Sequence, residues 1–120
     1  MIKAALAFFI LTGSTVVGAP AAAQSYPAKP VRWIVPLPPG GSTDLISRMI
    51  AQKLADSWRV QVVVDNRPGA AGTLGLAMAA KSPPDGYTIV LAQTGNVAIA
   101  PGLYSRLPYD PVKDLAPVTQ

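Results

Sequence analysis

The chain has 120 residues, a net charge of +4 and 13 prolines, and it contains no Cys and no His. Those absences exclude disulfides, the Ser-His-Asp triad, the Cys-His dyad and the usual zinc sites. The Lys and Arg residues are scattered singly, with no basic run and no aromatic interleaving; this does not support nucleic-acid binding, whereas a mild positive balance suits a small anion.

Lys3 precedes an unbroken apolar run over 4–11, and Ala21-Ala22-Ala23 is a small-residue cleavage site. Residues 1–23 therefore read as a secretory signal peptide, with Gln24 as the first mature residue. The run is shorter than the about 20 residues that span a bilayer. No Cys follows the site to carry a lipid.

Tyr26-Pro27-Ala28-Lys29-Pro30 is an extended lead-in, because its prolines exclude helix. Val31-Arg32-Trp33-Ile34-Val35 is β-branched and aromatic, a strand signal. Pro36-Leu37-Pro38-Pro39-Gly40-Gly41-Ser42-Thr43 then forms a Gly-rich exit loop, with Ser42 or Thr43 expected to cap the helix that follows. That helix is expected from 44 to about 56, burying the stripe Leu45, Ile46, Met49, Ile50 and Leu54. A second strand is expected at 60–64 and is near-continuously apolar, as a parallel strand covered on both faces should be.

Asp65-Asn66-Arg67-Pro68-Gly69-Ala70-Ala71-Gly72 is a second Gly-containing exit loop, and 73–80 a short Ala-rich helix. Pro83-Pro84-Asp85-Gly86 is a turn, 87–92 a third strand and Gln93-Thr94-Gly95-Asn96 a third loop. Prolines divide the tail, in which 115–119 could begin a fourth strand. Strands alternating with helices imply a parallel α/β sheet with right-handed crossovers. The three loops then share the carboxyl edge of the sheet, where ligands of such sheets sit. A Gly-rich loop ending at a helix N-terminus is a ready anion site; the simpler reading is a capped turn.

No catalytic set accompanies these loops. The carboxylates are Asp44, Asp56, Asp65, Asp85, Asp110 and Asp114, with no pairing legible between Asp44 and Asp65. Neither a Walker loop nor a dinucleotide fingerprint occurs, so no cofactor is expected. Ser42 would need an unidentified base to act as the nucleophile of an exported α/β hydrolase. Binding without turnover is the leading expectation.

Five collinear stretches resemble one family. They are Tyr26 to Pro30, Pro38 to Asp44, Val63 to Ala70, Pro83 to Thr88, and Leu107-Pro108-Tyr109-Asp110-Pro111-Val112-Lys113-Asp114. They resemble the periplasmic substrate-binding receptors of tripartite tricarboxylate transporters, the Bug receptors. The resemblance implies a two-lobed Venus-flytrap α/β fold that holds a small carboxylate and delivers it to membrane permease subunits. By this resemblance, residues 24–120 form the N-terminal part of the first lobe. Pro39, Gly40, Gly41, Ser42, Thr43 and Asp44, with Gly69, Ala70 and Gly72, would hold a ligand carboxylate. Thr94 and Asn96 would contribute from the third loop, where Val97 and Ala100 replace the His and Asn of many family members. Family receptors run to about 300 residues, so this polypeptide alone is expected to bind weakly, with a non-binding fragment as the alternative.

Overall fold

The computed structural model describes residues 25–119, and the signal-peptide reading lies outside them. Three strands form one parallel sheet: β1 (Val31–Val35), β2 (Val62–Asn66) and β3 (Thr88–Val90). The order is β2-β1-β3, so β1 is bonded on both sides. Val31 lies level with Val62, and Trp33 with Ile89. The central position buries Val31, Ile34 and Val35 completely. The second strand lies two residues later than expected, because the ladder with β1 runs on through Asp65 and Asn66. The third is shorter than expected, with Tyr87, Leu91 and Ala92 left outside it.

Two helices make the crossovers, α1 (Ser42–Trp58) and α2 (Thr73–Ala80). Alternation along the strands places Val62, Val64 and Asn66 on one face and Arg32, Ile34, Asp65 and Val90 on the other. α1 covers the first face, where Asn66 bonds to it. α2 covers the second, where Leu76 and Ala77 form the apolar core with Tyr109, Val90, Val97, Leu107 and Leu115. After Thr94 the chain makes a π turn over Gly95–Ile99 and a short helix, α3 (Ala100–Leu103). Residues 115–119 form no strand. No described helix is long and apolar enough to cross a membrane.

α1 departs from expectation in its rotation. Its buried residues are Asp44, Ser47 and Ala51, with Leu54, Ala55 and Trp58 half-buried below them. The larger side chains Leu45, Ile46, Met49 and Ile50 face outward, Met49 at 62% exposure. Periodicity identified an apolar stripe, but small residues at 47, 51 and 55 let the helix approach the sheet more closely, and the Asp44 bonds fix that orientation. Ser47 Oγ donates to the Thr43 carbonyl at 2.7 Å, so this buried hydroxyl is satisfied within its own helix.

The opposite end of the sheet is closed by aromatic rings. Tyr26 packs edge-on against Tyr87 at 5.1 Å and Trp58 at 6.4 Å, and its hydroxyl donates to the Gly86 carbonyl at 2.6 Å. Ala28 N–H donates to the Tyr87 hydroxyl at 2.9 Å. Lys29 pairs with Asp85 at 3.2 Å and lies 4.3 Å above the Tyr87 ring.

Candidate functional site

The loop leaving β1 starts at fully buried Pro36 and turns into α1. The helix begins two residues earlier than expected. Its N-cap is Gly41, without a side-chain cap, so neither Ser42 nor Thr43 caps it; both sit in the first turn instead. The first intrahelical bond is Leu45 N–H to the Gly41 carbonyl. The N–H groups of Ser42, Thr43 and Asp44 therefore have no acceptor among the described residues. An open depression of about 300 Å³ lies against them, between Leu37, Pro38 and Pro39 on one side and Gly41, Ser42 and Thr43 on the other. The helix dipole adds partial positive charge there.

Asp44 turns inward and is 5% exposed. Its Oδ2 accepts from Gly40 N–H at 2.9 Å and Arg48 Nε at 3.1 Å, and its Oδ1 accepts from Asn66 Nδ2 at 2.9 Å. Asn66 Nδ2 also reaches the Leu37 carbonyl at 3.2 Å, and Arg48 donates to Asn66 Oδ1 at 3.0 Å. The Arg48 guanidinium, the Gly40 N–H and the Asn66 amide together hold the Asp44 carboxyl down to about 2. This carboxylate ties the loop to α1 and β2, and Asp44 also lines the depression. The sequence reading missed Asn66, whose signal was a lone amide closing an apolar strand.

The loop leaving β2 runs through left-handed backbone. Gly69, Ala70, Ala71 and Gly72 have φ of +133°, +47°, +54° and +86°. Two consecutive alanines there cost about 1–2 kcal/mol each, because their Cβ atoms crowd the backbone. Gly72 N–H bonds to the Gly69 carbonyl, and Thr73 Oγ1 donates to the Ala70 carbonyl at 2.8 Å. The N–H groups of Ala70 and Ala71 have no acceptor among the described residues. Ala71 belongs with the expected Gly69, Ala70 and Gly72, yet nothing about an Ala signals positive φ. Upstream, burial pushes the Asp65 carboxyl up, and Arg32 and Arg67 more than offset it, leaving it below its ordinary range.

Close packing joins the loops. A Cβ on Gly72 would stand 2.8 Å from Asn96 Nδ2, and one on Gly75 would stand 2.8 Å from Pro36 Cβ and 3.0 Å from the Arg67 carbonyl. Only glycine admits such contacts, so α2 seats itself on the exit of β1. Asn96 is 2% exposed; its Oδ1 accepts Gln93 N–H at 2.8 Å, and its carbonyl accepts the Tyr109 hydroxyl at 2.5 Å. Thr94 lies exposed at the start of the π turn. Pro36, Gly72 and Asn96 thus meet at the carboxyl edge of the sheet, beside the β1/β3 switch point.

Residues 46–120 match the tripartite tricarboxylate transporter family receptor. BugT of Bordetella pertussis is 44% identical over 117 residues, which cover 97% of this chain and 35% of BugT. Among solved structures, MatC from Rhodopseudomonas palustris with bound malate is 34% identical with a TM-score of 0.69, covering 74% of this chain and 30% of that one. An R. palustris protein solved with adipate is 34% identical with a TM-score of 0.65, covering 73% and 29%. The chain thus spans about a third of the length of these relatives. The family is one of periplasmic solute-binding receptors and not of enzymes, which removes the hydrolase reading of Ser42. A parallel α/β sheet with open N–H groups along one edge, matched in sequence and in fold, places this chain in the tripartite tricarboxylate transporter receptor family.

Proposed function

We propose that this chain supplies one wall of an extracytoplasmic receptor that takes up a small carboxylate and hands it to the permease subunits of a tripartite tricarboxylate-type transporter. The observation that carries this reading is a set of unpartnered backbone donors on one rim: Ser42, Thr43 and Asp44 from α1, and Ala70 and Ala71 from the left-handed turn. Donors without acceptors suit an anion, and a helix N-terminus adds dipole charge of the right sign. The one basic residue of the rim loops, Arg67, is paired with Asp65 at 2.8 Å, so the reading rests on N–H groups in place of ion pairs. Relatives solved with malate and with adipate support a carboxylate as the solute class. Pro39, Gly40 and Gly41 shape the approach, while Gly69 and Gly72 hold the turn. Residues 1–23 are proposed to direct export to the periplasm, and N-terminal sequencing of the secreted product beginning at Gln24 tests that.

An open depression covers a ligand on one side only, whereas tight sites bury most of the ligand surface. The expected affinity of the 120-residue chain is therefore weak, in the millimolar range, about −4 kcal/mol. Amide chemical-shift titration of the ¹⁵N-labelled chain with malate and adipate reads this range directly. The expected result is saturable movement of the Ser42, Thr43, Ala70 and Ala71 amides. An unmoved rim at 50-fold excess over about 1 mM would overturn the proposal.

A further inference from the structure

We infer that Asn66 is a positioning residue that joins the two rim loops into one rigid unit, so that the open N–H groups of α1 and those of the left-handed turn move together. The inference rests on the receptor reading above and deepens it. Asn66 is the last residue of β2 and stands level with Val35, the last of β1, so both loops leave the sheet at one height. One further backbone bond follows, from Arg67 N–H to the Val35 carbonyl at 2.8 Å. Beyond it, no backbone bond joins the two loops among the described residues. The Asn66 carboxamide supplies the connection instead. Its Nδ2 donates to the Leu37 carbonyl at 3.2 Å and to Asp44 Oδ1 at 2.9 Å, and its Oδ1 accepts from the Arg48 guanidinium at 3.0 Å. Both amide hydrogens and the oxygen are thus committed, each to the β1 loop or to α1.

The partners call for an amide. Leu37 and Asp44 offer oxygens and need donors, while Arg48 offers N–H and needs an acceptor. A carboxamide meets both needs from one planar group. Asp44 passes the tie onward: its Oδ2 accepts Gly40 N–H at 2.9 Å, and its own backbone lies in the first turn beside Ser42 and Thr43. The second loop is stiff as well. Pro68 fixes one φ, Gly75 lets the Arg67 carbonyl approach α2, and Gly72 N–H bonds the Gly69 carbonyl. A displacement of α1 therefore reaches Ala70 and Ala71 through Asn66, along a continuous set of bonds.

Backbone ¹⁵N relaxation of the ligand-free chain reads the tie directly. In the parent, order parameters at Ser42, Thr43, Ala70 and Ala71 should stand near 0.85; in Asn66→Ala they should fall at both loops, below about 0.6, while Tyr26 and Tyr87 at the far edge stay rigid. Malate should bind Asn66→Ala at least about fivefold more weakly than the parent. Asn66→Asp sets a second carboxyl against Asp44, so its rim should be loose at pH 7. It should tighten as pH falls from about 6 to 4, because two carboxyls sharing a site take up a proton early and the shared proton restores a donor. The parent should not change over that window, since its Asp44 carboxyl is held down to about 2. Unchanged order parameters in Asn66→Ala would overturn the inference. Loosening at Ala70 and Ala71 alone would overturn it too, since Asn66 would then serve only its own loop. A parent rim unmoved by malate would reject the receptor reading and leave the tie to be decided by the order parameters. If the variants do not fold, the Asn66 side-chain N–H₂ of the parent decides: an order parameter near 0.85 supports the tie, and one below about 0.6 overturns it.

Discussion

The two ends of the sheet are built on opposite principles. At the amino edge, Tyr26, Trp58 and Tyr87 pack ring on ring, the Tyr26 hydroxyl finds a carbonyl, the Tyr87 hydroxyl an N–H, and Lys29 meets Asp85. At the carboxyl edge, backbone N–H groups of two loops stand open, and two alanines hold left-handed conformations. Unmade hydrogen bonds and backbone strain persist where the surrounding structure holds them in place. Here that support is identifiable. Asp44 ties Gly40, Arg48 and Asn66 together, and Gly72 and Gly75 let α2 press against Pro36 and Asn96. One edge is closed by ring packing and paired polar groups; the other leaves its backbone donors open.

The contrast is broken most severely at Gly72. Replacing it with Ala demands φ of +86° from a residue with a Cβ and drives that Cβ to 2.8 Å from Asn96 Nδ2. The expected loss is about 2–4 kcal/mol in chemical denaturation, together with loss of the malate-induced shifts. At the closed edge, Tyr26→Ala removes two ring contacts and one hydrogen bond. It should cost about 1–2 kcal/mol while leaving the rim amides responsive to malate.

Asp44→Asn sharpens the comparison through pH. The Asp44 carboxyl, held down to about 2 in the folded chain, stays ionised where its unfolded counterpart takes up a proton near 4. The stabilisation from this group is thus fully present above about pH 4 and is lost as pH falls toward 2. Urea midpoints measured across that window should fall less steeply in Asp44→Asn than in the parent. The smallest effect is expected at Lys29→Met. The Lys29–Asp85 pair is exposed on both sides, so its removal should change stability by about 0–1 kcal/mol. The difference should shrink further in 1 M salt, where screening acts within about 3 Å.

Much of this was legible in the residues. Val31 to Val35 announced a strand through β-branching, and the helix at 73–80 followed from its Ala-rich composition. Alternating strands and helices implied a parallel sheet, and the parallel sheet placed three loops on one edge. The face of α1 was not legible, because hydropathy ranks Leu45 and Met49 above Ser47 and Ala51. The fold ranked closeness of approach and the Asp44 bonds higher. Nor was the cap, since Ser42 and Thr43 are good cap residues by type, yet Gly41 takes the position and leaves the N–H groups open.

By itself the sequence determined the class of fold, the order of its elements and the sheet edge that its glycine-containing loops share. Periodicity, β-branching and glycine placement are local properties, and each could be read from a few neighbouring residues. The tertiary structure alone decided which polar groups are committed and which remain available. Asp44 became a brace because Asn66, 22 residues away, reaches it from the end of β2. Asn66 became a tie between two loops because Leu37, Asp44 and Arg48 all meet its carboxamide. Whether a hydrogen bond is made depends on contacts between distant segments, and no local pattern carries that information.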